Sequence, residues 1–183
     1  MVSQRLETEY LRLCTERSDI NEHLPLLRWV AEGCRHVTEF GMRGGVSTVA
    51  LLAAGPGAVV SYDIDPGCKA TADRLAGMLT NGTRLEFVNA DTTKATIEPT
   101  EFLFIDGRHT AENVAAELAN NADRVKKYIG FHDTATFGLQ GEDRKAPGIL
   151  APIMALVRSG GWEVVEQRQN NNGIMILKRK GDA

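Results

Sequence analysis

From residue 37 onward, short apolar runs alternate with longer amphipathic stretches. The runs at 37–40, 58–62, 85–88 and 102–105 read as strands, and the segments 47–54, 66–79 and 110–121 between them as helices. Phe102-Leu103-Phe104-Ile105 has no polar position, which suits a strand buried on both faces. Tyr128 to His132 predicts a fifth strand. Ile149, Leu150, Ile153, Met154, Leu156 and Val157 mark a helix over about 149–159, closed by Gly160-Gly161. Two last strands, Trp162 to Glu166 and Ile174 to Leu177, flank Asn170-Asn171-Asn172-Gly173. Asn-Gly at such a junction is a hairpin signal, so this pair is antiparallel. The pattern predicts an α/β fold with three layers: a seven-stranded, mostly parallel sheet with helices on both faces.

Before the first strand, residues 4–34 read as two helices. Leu6, Tyr10, Leu11, Leu13 and Cys14 lie at helical spacing in the first. Leu24, Leu27, Trp29 and Val30 follow in the second, with Pro25 in its first turn and Gly33 at its end. Residues 1–34 thus form a helical segment ahead of a core at 35–183, within a single domain spanning 1–183. The segment could cover a sheet edge, form part of a lid, or pair subunits in a homo-oligomer; the pattern leaves all three open. Between residues 133 and 148 a polar, glycine-containing stretch exceeds an ordinary connection, and such loops are often functional.

Composition narrows the class little. The chain is 43% hydrophobic and 25% charged with a net charge of −3, which gives no electrostatic footprint for nucleic acid. No apolar run reaches membrane-spanning length, and Met1 to Glu9 is polar rather than signal-like. Cys14, Cys34 and Cys68 lack CxxC spacing and read as buried thiols of a cytoplasmic protein.

The first candidate chemistry lies at Glu39-Phe40-Gly41-Met42-Arg43-Gly44-Gly45-Val46-Ser47-Thr48. Here a strand ends in a glycine-rich bend, and Ser47 or Thr48 opens an apolar helix. Glycines admit a ligand close to the backbone, and the free amides of a helix start attract polar groups. Asp63 follows at about the 20-residue spacing that places a carboxylate against a ribose. Asp65 competes with it for that role. Arg43 occupies the place of the second glycine of a dinucleotide fingerprint and would crowd a pyrophosphate. No Gly-Lys-Ser/Thr run follows, so a triphosphate loop is excluded as well. An acid at Glu39 suits a cationic ligand group better than a phosphate.

At these residues the chain resembles the class I S-adenosylmethionine-dependent methyltransferases. In that family an acid-x-Gly bend ends the first strand, an acid closes the second, and a polar residue follows the third. Glu39-Phe40-Gly41, Asp63 and Asp91 stand in those places. The resemblance covers residues from about 24 to 180 and implies a Rossmann-like fold with an antiparallel terminal hairpin. It implies that Gly41 and Gly45 admit the S-adenosylmethionine backbone and that Ser47 helps hold its amino-acid end. Asp63 would then hold the ribose hydroxyls, with Asp91 beside the adenine amino group; otherwise Asp91 caps a turn.

The second candidate site lies past the fourth and fifth strands, at Asp106-Gly107-Arg108-His109 and His132-Asp133-Thr134. Adjacent strand tips can bring Asp106, His132 and Asp133 together as two carboxylates and an imidazole. Oxygen ligands favour Mg²⁺ or Mn²⁺, while the imidazole admits Zn²⁺ or Fe²⁺. The arrangement resembles the metal-dependent O-methyltransferases, including the catechol type and the related sugar and cephalosporin-hydroxylase-like group. Asp106 and the His132-Asp133 pair match that family's metal positions, and His109 stands where its lysine base stands. His132 and His109 are the two departures from its pattern. The implied reaction is metal-assisted methylation of a small-molecule hydroxyl, with His109 taking the proton. A metal-independent small-molecule methyltransferase and a non-catalytic S-adenosylmethionine-binding protein are the alternatives. The Asn/Asp-Pro-Pro-Tyr/Phe signature of amino-group DNA methyltransferases is absent after the fourth strand. The polar content of 133–148 suits a polyhydroxylated acceptor.

Overall fold

A computed structural model describes residues 2–80 and 82–181. Among them six α-helices occur: α1 (Gln4–Thr15), α2 (Leu24–Ala31), α3 (Val46–Ala53), α4 (Cys68–Ala76), α5 (Ala111–Asn121) and α6 (Leu150–Arg158). Seven strands accompany them: β1 (His36–Phe40), β2 (Ala58–Asp63), β3 (Arg84–Asn89), β4 (Thr100–Ile105), β5 (Val125–His132), β6 (Trp162–Arg168) and β7 (Ile174–Arg179). They form one sheet in the order β3-β2-β1-β4-β5-β7-β6. All pairs up to β5 are parallel, and β7 runs antiparallel to both β5 and β6. The seven-stranded, Rossmann-like architecture agrees with the periodicity.

Strand alternation divides the core into two layers. Phe102 and Phe104 pack with the residues of α1 to α4, whereas Leu103 and Ile105 pack with those of α5 and α6. Ile174 and Ile176 against Met175 and Leu177 repeat the division on β7. Each such fully buried side chain contributes about 1.5–3 kcal/mol of transfer free energy. A β-carbon on Gly130 of β5 would lie 3.0 Å from Ile176 and 3.1 Å from the rings of Phe102 and Phe104. Those rings already fill the space a side chain would need.

Because β1 is flanked by β2 and β4, the winding reverses between β1 and β4. The carboxyl ends of these strands open a crevice, where ligands bind in such sheets. The N-terminal helices pack on α3 rather than on a sheet edge. Ser3 caps α1 by accepting the Leu6 N–H at 3.2 Å, and Gly33 leaves α2 at φ +76°. Between them the chain passes the glycine bend, with Ile20 buried and Asp19 paired to Arg43 at 2.5 Å.

Several boundaries differ from the periodicity; strand β5, for one, begins at Val125 rather than Tyr128. Helix α3 starts at Val46 rather than at Ser47 or Thr48, since Gly45 at φ +76° is its cap and both hydroxyls turn inward. Helix α4 starts at Cys68 because an Asx turn, with the Gly67 N–H donated to Asp65 at 2.8 Å, uses up the preceding residues. Strand β6 continues to Arg168 through an irregularity between Val164 and Glu166.

Candidate functional site

Gly41 is a contact between strand tips before it is anything else. Its φ is +90°, and a β-carbon there would lie 2.1 Å from the carbonyl oxygen of Asp106. Its N–H donates to the Tyr62 carbonyl at 2.8 Å, while the Asp106 N–H donates to the Phe40 carbonyl at 2.8 Å. The ladder therefore continues past both neighbours and brings the bend against the start of the Asp106 turn. Gly45 lies against α4, where a β-carbon on it would meet Thr71 at 2.9 Å and Leu75 at 3.0 Å.

Glu39 has no exposed surface and lies beneath this bend. Ser47 and Ser61 donate hydroxyl hydrogen bonds to it at 2.6 Å each, and Thr48 donates at 2.7 Å. Burial pushes its carboxyl up to about 7, although the three hydroxyls oppose the rise. Glu39 and Ser47, expected to face a cofactor, thus face each other, and Ser47 only borders a small cavity of about 60 Å³ beside Gly41. The pair braces the bend from below.

A larger cavity of about 660 Å³ runs outward from Gly41 along the tips of β2, β3 and β4. Asp63 stands in its wall, its two oxygens accepting the Arg43 N–H at 2.8 Å and the Asp65 N–H at 2.9 Å. These amides orient Asp63 toward the cavity's edge, and Asp65 lies outside the lining. Ile64, 73% exposed, adds an apolar face next to it. Asp91 also lines the cavity, but it caps its own turn. Its oxygens accept the Thr93 N–H and hydroxyl, and Lys94 pairs with it at 2.9 Å, which holds its carboxyl down at about 2.

Where this cavity meets the tips of β4 and β5, two carboxylates and two imidazoles converge. His109 Nε2 lies 3.0 Å from Asp133 Oδ2 and 3.4 Å from Asp106 Oδ1. His132 Nδ1 lies 3.3 Å and 3.2 Å from the same two oxygens. Burial alone would lower both imidazoles, but the hydrogen bonds and charges of the two carboxylates raise each to about 10. The imidazoles in turn hold Asp106 and Asp133 below the usual carboxylate range, against the opposing effect of burial. As it stands the cluster neutralises itself. An imidazole expected to titrate near neutrality is here kept protonated.

Asp106, His109 and Asp133 offer ligand atoms within 4.8 Å of one another. This set differs in one member from the expected Asp106, His132 and Asp133. His109 reaches the set because the turn after β4 folds it back, and His132 faces the same oxygens from the other side. Among the described residues Asp133 Oδ1 is buried with no hydrogen-bond partner, a vacant lone pair that suits a cation. Asp133 itself is held at φ +60°, a backbone region seldom used by residues other than glycine. The donor set of two carboxylates and imidazole nitrogen fits a divalent ion.

Several participants carried no motif. Phe137 stacks on His109, with centroids 5.1 Å apart and planes at 21°, and Glu142 lies 3.3 Å from His109 Nδ1. Glu117 is fully buried under the cavity floor, accepting the Thr92 hydroxyl, and burial pushes it up to about 7. Glu117 was detectable in principle, because it shares the buried face of α5 with Val114, Leu118 and Asn121.

The sequence family described as methyltransferase domain matches residues 38–134. No curated protein matches the chain. Among solved structures, the O-methyltransferase from Bacillus cereus in complex with SAH superposes with a TM-score of 0.69 at 16% identity, covering 97% of this chain and 90% of that one. The magnesium protoporphyrin IX methyltransferase from Synechocystis with bound SAM gives 0.64 at 14% identity, over 97% and 93% of the two chains. The N-methyltransferase NodS from Bradyrhizobium japonicum gives 0.65 at 13% identity, over 89% and 97%. At these identities the likeness is one of fold.

Proposed function

Because the chain belongs to the methyltransferase-domain family, we propose that it transfers the methyl group of S-adenosylmethionine to a hydroxyl of a small molecule, assisted by a divalent metal. The observation that carries this reading is the meeting of Asp106, His109, His132 and Asp133 at the inner end of a nucleoside-sized cavity. In that cavity Asp63 would take the ribose hydroxyls and Ile64 would cover the adenine face. Gly41 leaves room for the chain that carries the sulfonium.

Transfer is an in-line displacement. The acceptor oxygen forms a bond to the methyl carbon as the carbon–sulfur bond breaks, and the sulfonium leaves as a neutral thioether. The hydroxyl proton must go to a base, and His109 is the imidazole that borders the cavity. Asp106, Asp133 and His132 Nδ1 would hold the metal, which leaves His109 Nε2 free to act as the base. A bound dication would supply acidity to the acceptor hydroxyl and a positive field opposing protons on His109 and His132. Phe137 fixes the His109 ring plane, and Glu142 orients its far nitrogen.

Calorimetric titration of the chelator-stripped protein with S-adenosylmethionine, repeated with Mg²⁺, Mn²⁺ and Zn²⁺, tests the proposal. Saturable cofactor binding, plus a metal-dependent heat lost in Asp106→Ala, is the expected result. A second reading, a metal-independent methyltransferase, is favoured by the self-neutralised cluster, and cofactor binding without any metal response would select it. Absence of both heats would leave a family member without this chemistry. We place the protein in a reducing cytoplasm, on the ground that Cys14, Cys34 and Cys68 are free thiols. Among the described residues no helix is long and apolar enough to cross a membrane.

A further inference from the structure

His132 has a second neighbour that none of the chemistry above uses. Its Nε2 lies 3.2 Å from the Asn171 carbonyl, and His23 Nε2 lies 3.2 Å from that same oxygen and 2.9 Å from the Asn170 carbonyl. A carbonyl only accepts, so each Nε2 must carry a hydrogen. The two rings meet edge to face at 5.7 Å, and both are buried. With Nε2 committed to the carbonyl, His132 can present only Nδ1 to Asp106 and Asp133.

The carbonyl is itself held in an unusual place. Asn171, Asn172 and Gly173 follow one another at φ +45°, +69° and +87°. Such a run is costly unless its surroundings enforce it. Asn171 accepts the Glu22 N–H at 3.0 Å and donates to the Ser18 carbonyl at 2.8 Å, so its side chain grips the segment between α1 and α2. On the opposite side the Asn172 carbonyl accepts the N–H groups of Ala135 and Thr136, just past Asp133. The hairpin clasps the N-terminal segment to the turn that bears the chemical cluster.

We infer that His23 and Asn171 are positioning residues for His132, acting through the shared Asn171 carbonyl, and that the N-terminal segment is thereby part of the chemical centre. This rests on the geometry of rings and carbonyl, and it deepens the methyltransferase reading without requiring the cation or the acceptor.

The test is proton NMR of ¹⁵N-labelled protein at one fixed pH, following the downfield imidazole Nε2–H signals, with His132 assigned through His132→Gln. The wild-type protein should show slowly exchanging signals from His23 and His132. His23→Phe removes the donor and should speed exchange at His132 by at least about tenfold, as expected for weakening one buried hydrogen-bonded unit. His23→Gln, which restores an amide donor at similar reach, should return it toward wild type. Asn171→Gly keeps the carbonyl and tolerates the backbone angle but releases Ser18 and Glu22; it too should speed exchange at His132. Should His23→Phe fail to fold, Asn171→Gly decides. An unchanged His132 signal in the folded variants overturns the proposal. S-adenosylmethionine titration of the wild-type protein keeps the two readings apart, since absent cofactor binding sinks the methyltransferase proposal and leaves the His132 result standing.

Discussion

Gly41 and the carbonyl oxygen of Asp106 stand so close that a single β-carbon on the glycine would lie 2.1 Å from that oxygen. The bend that would seat the cofactor and the strand end that carries the chemical cluster are therefore one contact. Gly41→Ala must part the tips of β1 and β4 and strain a residue at φ +90°. We expect a loss of about 2–4 kcal/mol, from overpacking against backbone together with an unfavourable angle. Gly44→Ala meets nothing within 4 Å among the described residues and should be nearly neutral. Thermal unfolding of the two variants provides the comparison, and equal midpoints would contradict the assignment.

Burial raises Glu39 to about 7 in the folded protein, against 4.5 as its ordinary value. Between these values the native state binds more protons than the unfolded chain, so stability falls as pH rises from about 4.5 to 7. The loss should amount to about 2–3 kcal/mol across that window. Glu117 shifts in the same direction and adds to the slope. Urea unfolding at a series of pH values should show Glu39→Gln with a visibly shallower decline than the parent; an unaltered decline would mean Glu39 is not the titrating group.

Metal affinity should rise with pH. The two carboxylates hold protons on His109 and His132 up to about 10, and these protons compete with a cation for the same oxygens and nitrogens. In the cation-free protein, the stability contributed by the imidazoles is full below their ordinary value of 6.5 and is lost as pH rises through about 10. Mn²⁺ titrations from pH 6 to 9 should give affinities rising about tenfold per unit for each proton displaced. A flat profile would argue that the ion binds elsewhere.

His109→Ala separates chemistry from binding. Turnover should fall by about 10²–10⁴, the range for losing a positioned proton acceptor, while S-adenosylmethionine affinity stays within about threefold. The ring touches the acidic cluster and Phe137 rather than the Asp63 end of the cavity. An equal loss of cofactor affinity would refute the role, and a Phe137→Leu variant should show a smaller fall of the same kind.

The sheet was legible because its information is local and periodic. Phe102 to Ile105 suited a doubly buried strand, and Asn172-Gly173 marked the turn of the last hairpin. Asp106, His109, His132 and Asp133 were legible as a group because the strand-tip rule points to residues at and just past the carboxyl ends of β4 and β5. The hydrogen bonding of Glu39 and Ser47 to each other was not legible. The hydroxyls of Ser47, Thr48 and Ser61 reach Glu39 from two different elements, and their convergence depends on how α3 packs over β2. The N-terminal segment was harder still, because some of its partners lie about 150 residues away, as Glu22 and Asn171 show. No periodicity encodes such a contact.

The clasp at Asn171 also sets an order on the birth of the molecule. A chain that leaves the ribosome N-terminus first presents His23 and His132 before the hairpin that joins them. Helices α1 to α3 and strands β1 to β4 can collapse on one another before β7 is made, since many of their contacts are with each other. The strained residues from 171 to 173 must then settle against two surfaces that already exist. The Asn171 carbonyl that fixes the His132 ring therefore arrives last in biosynthesis, after every side chain of the acidic and imidazole cluster.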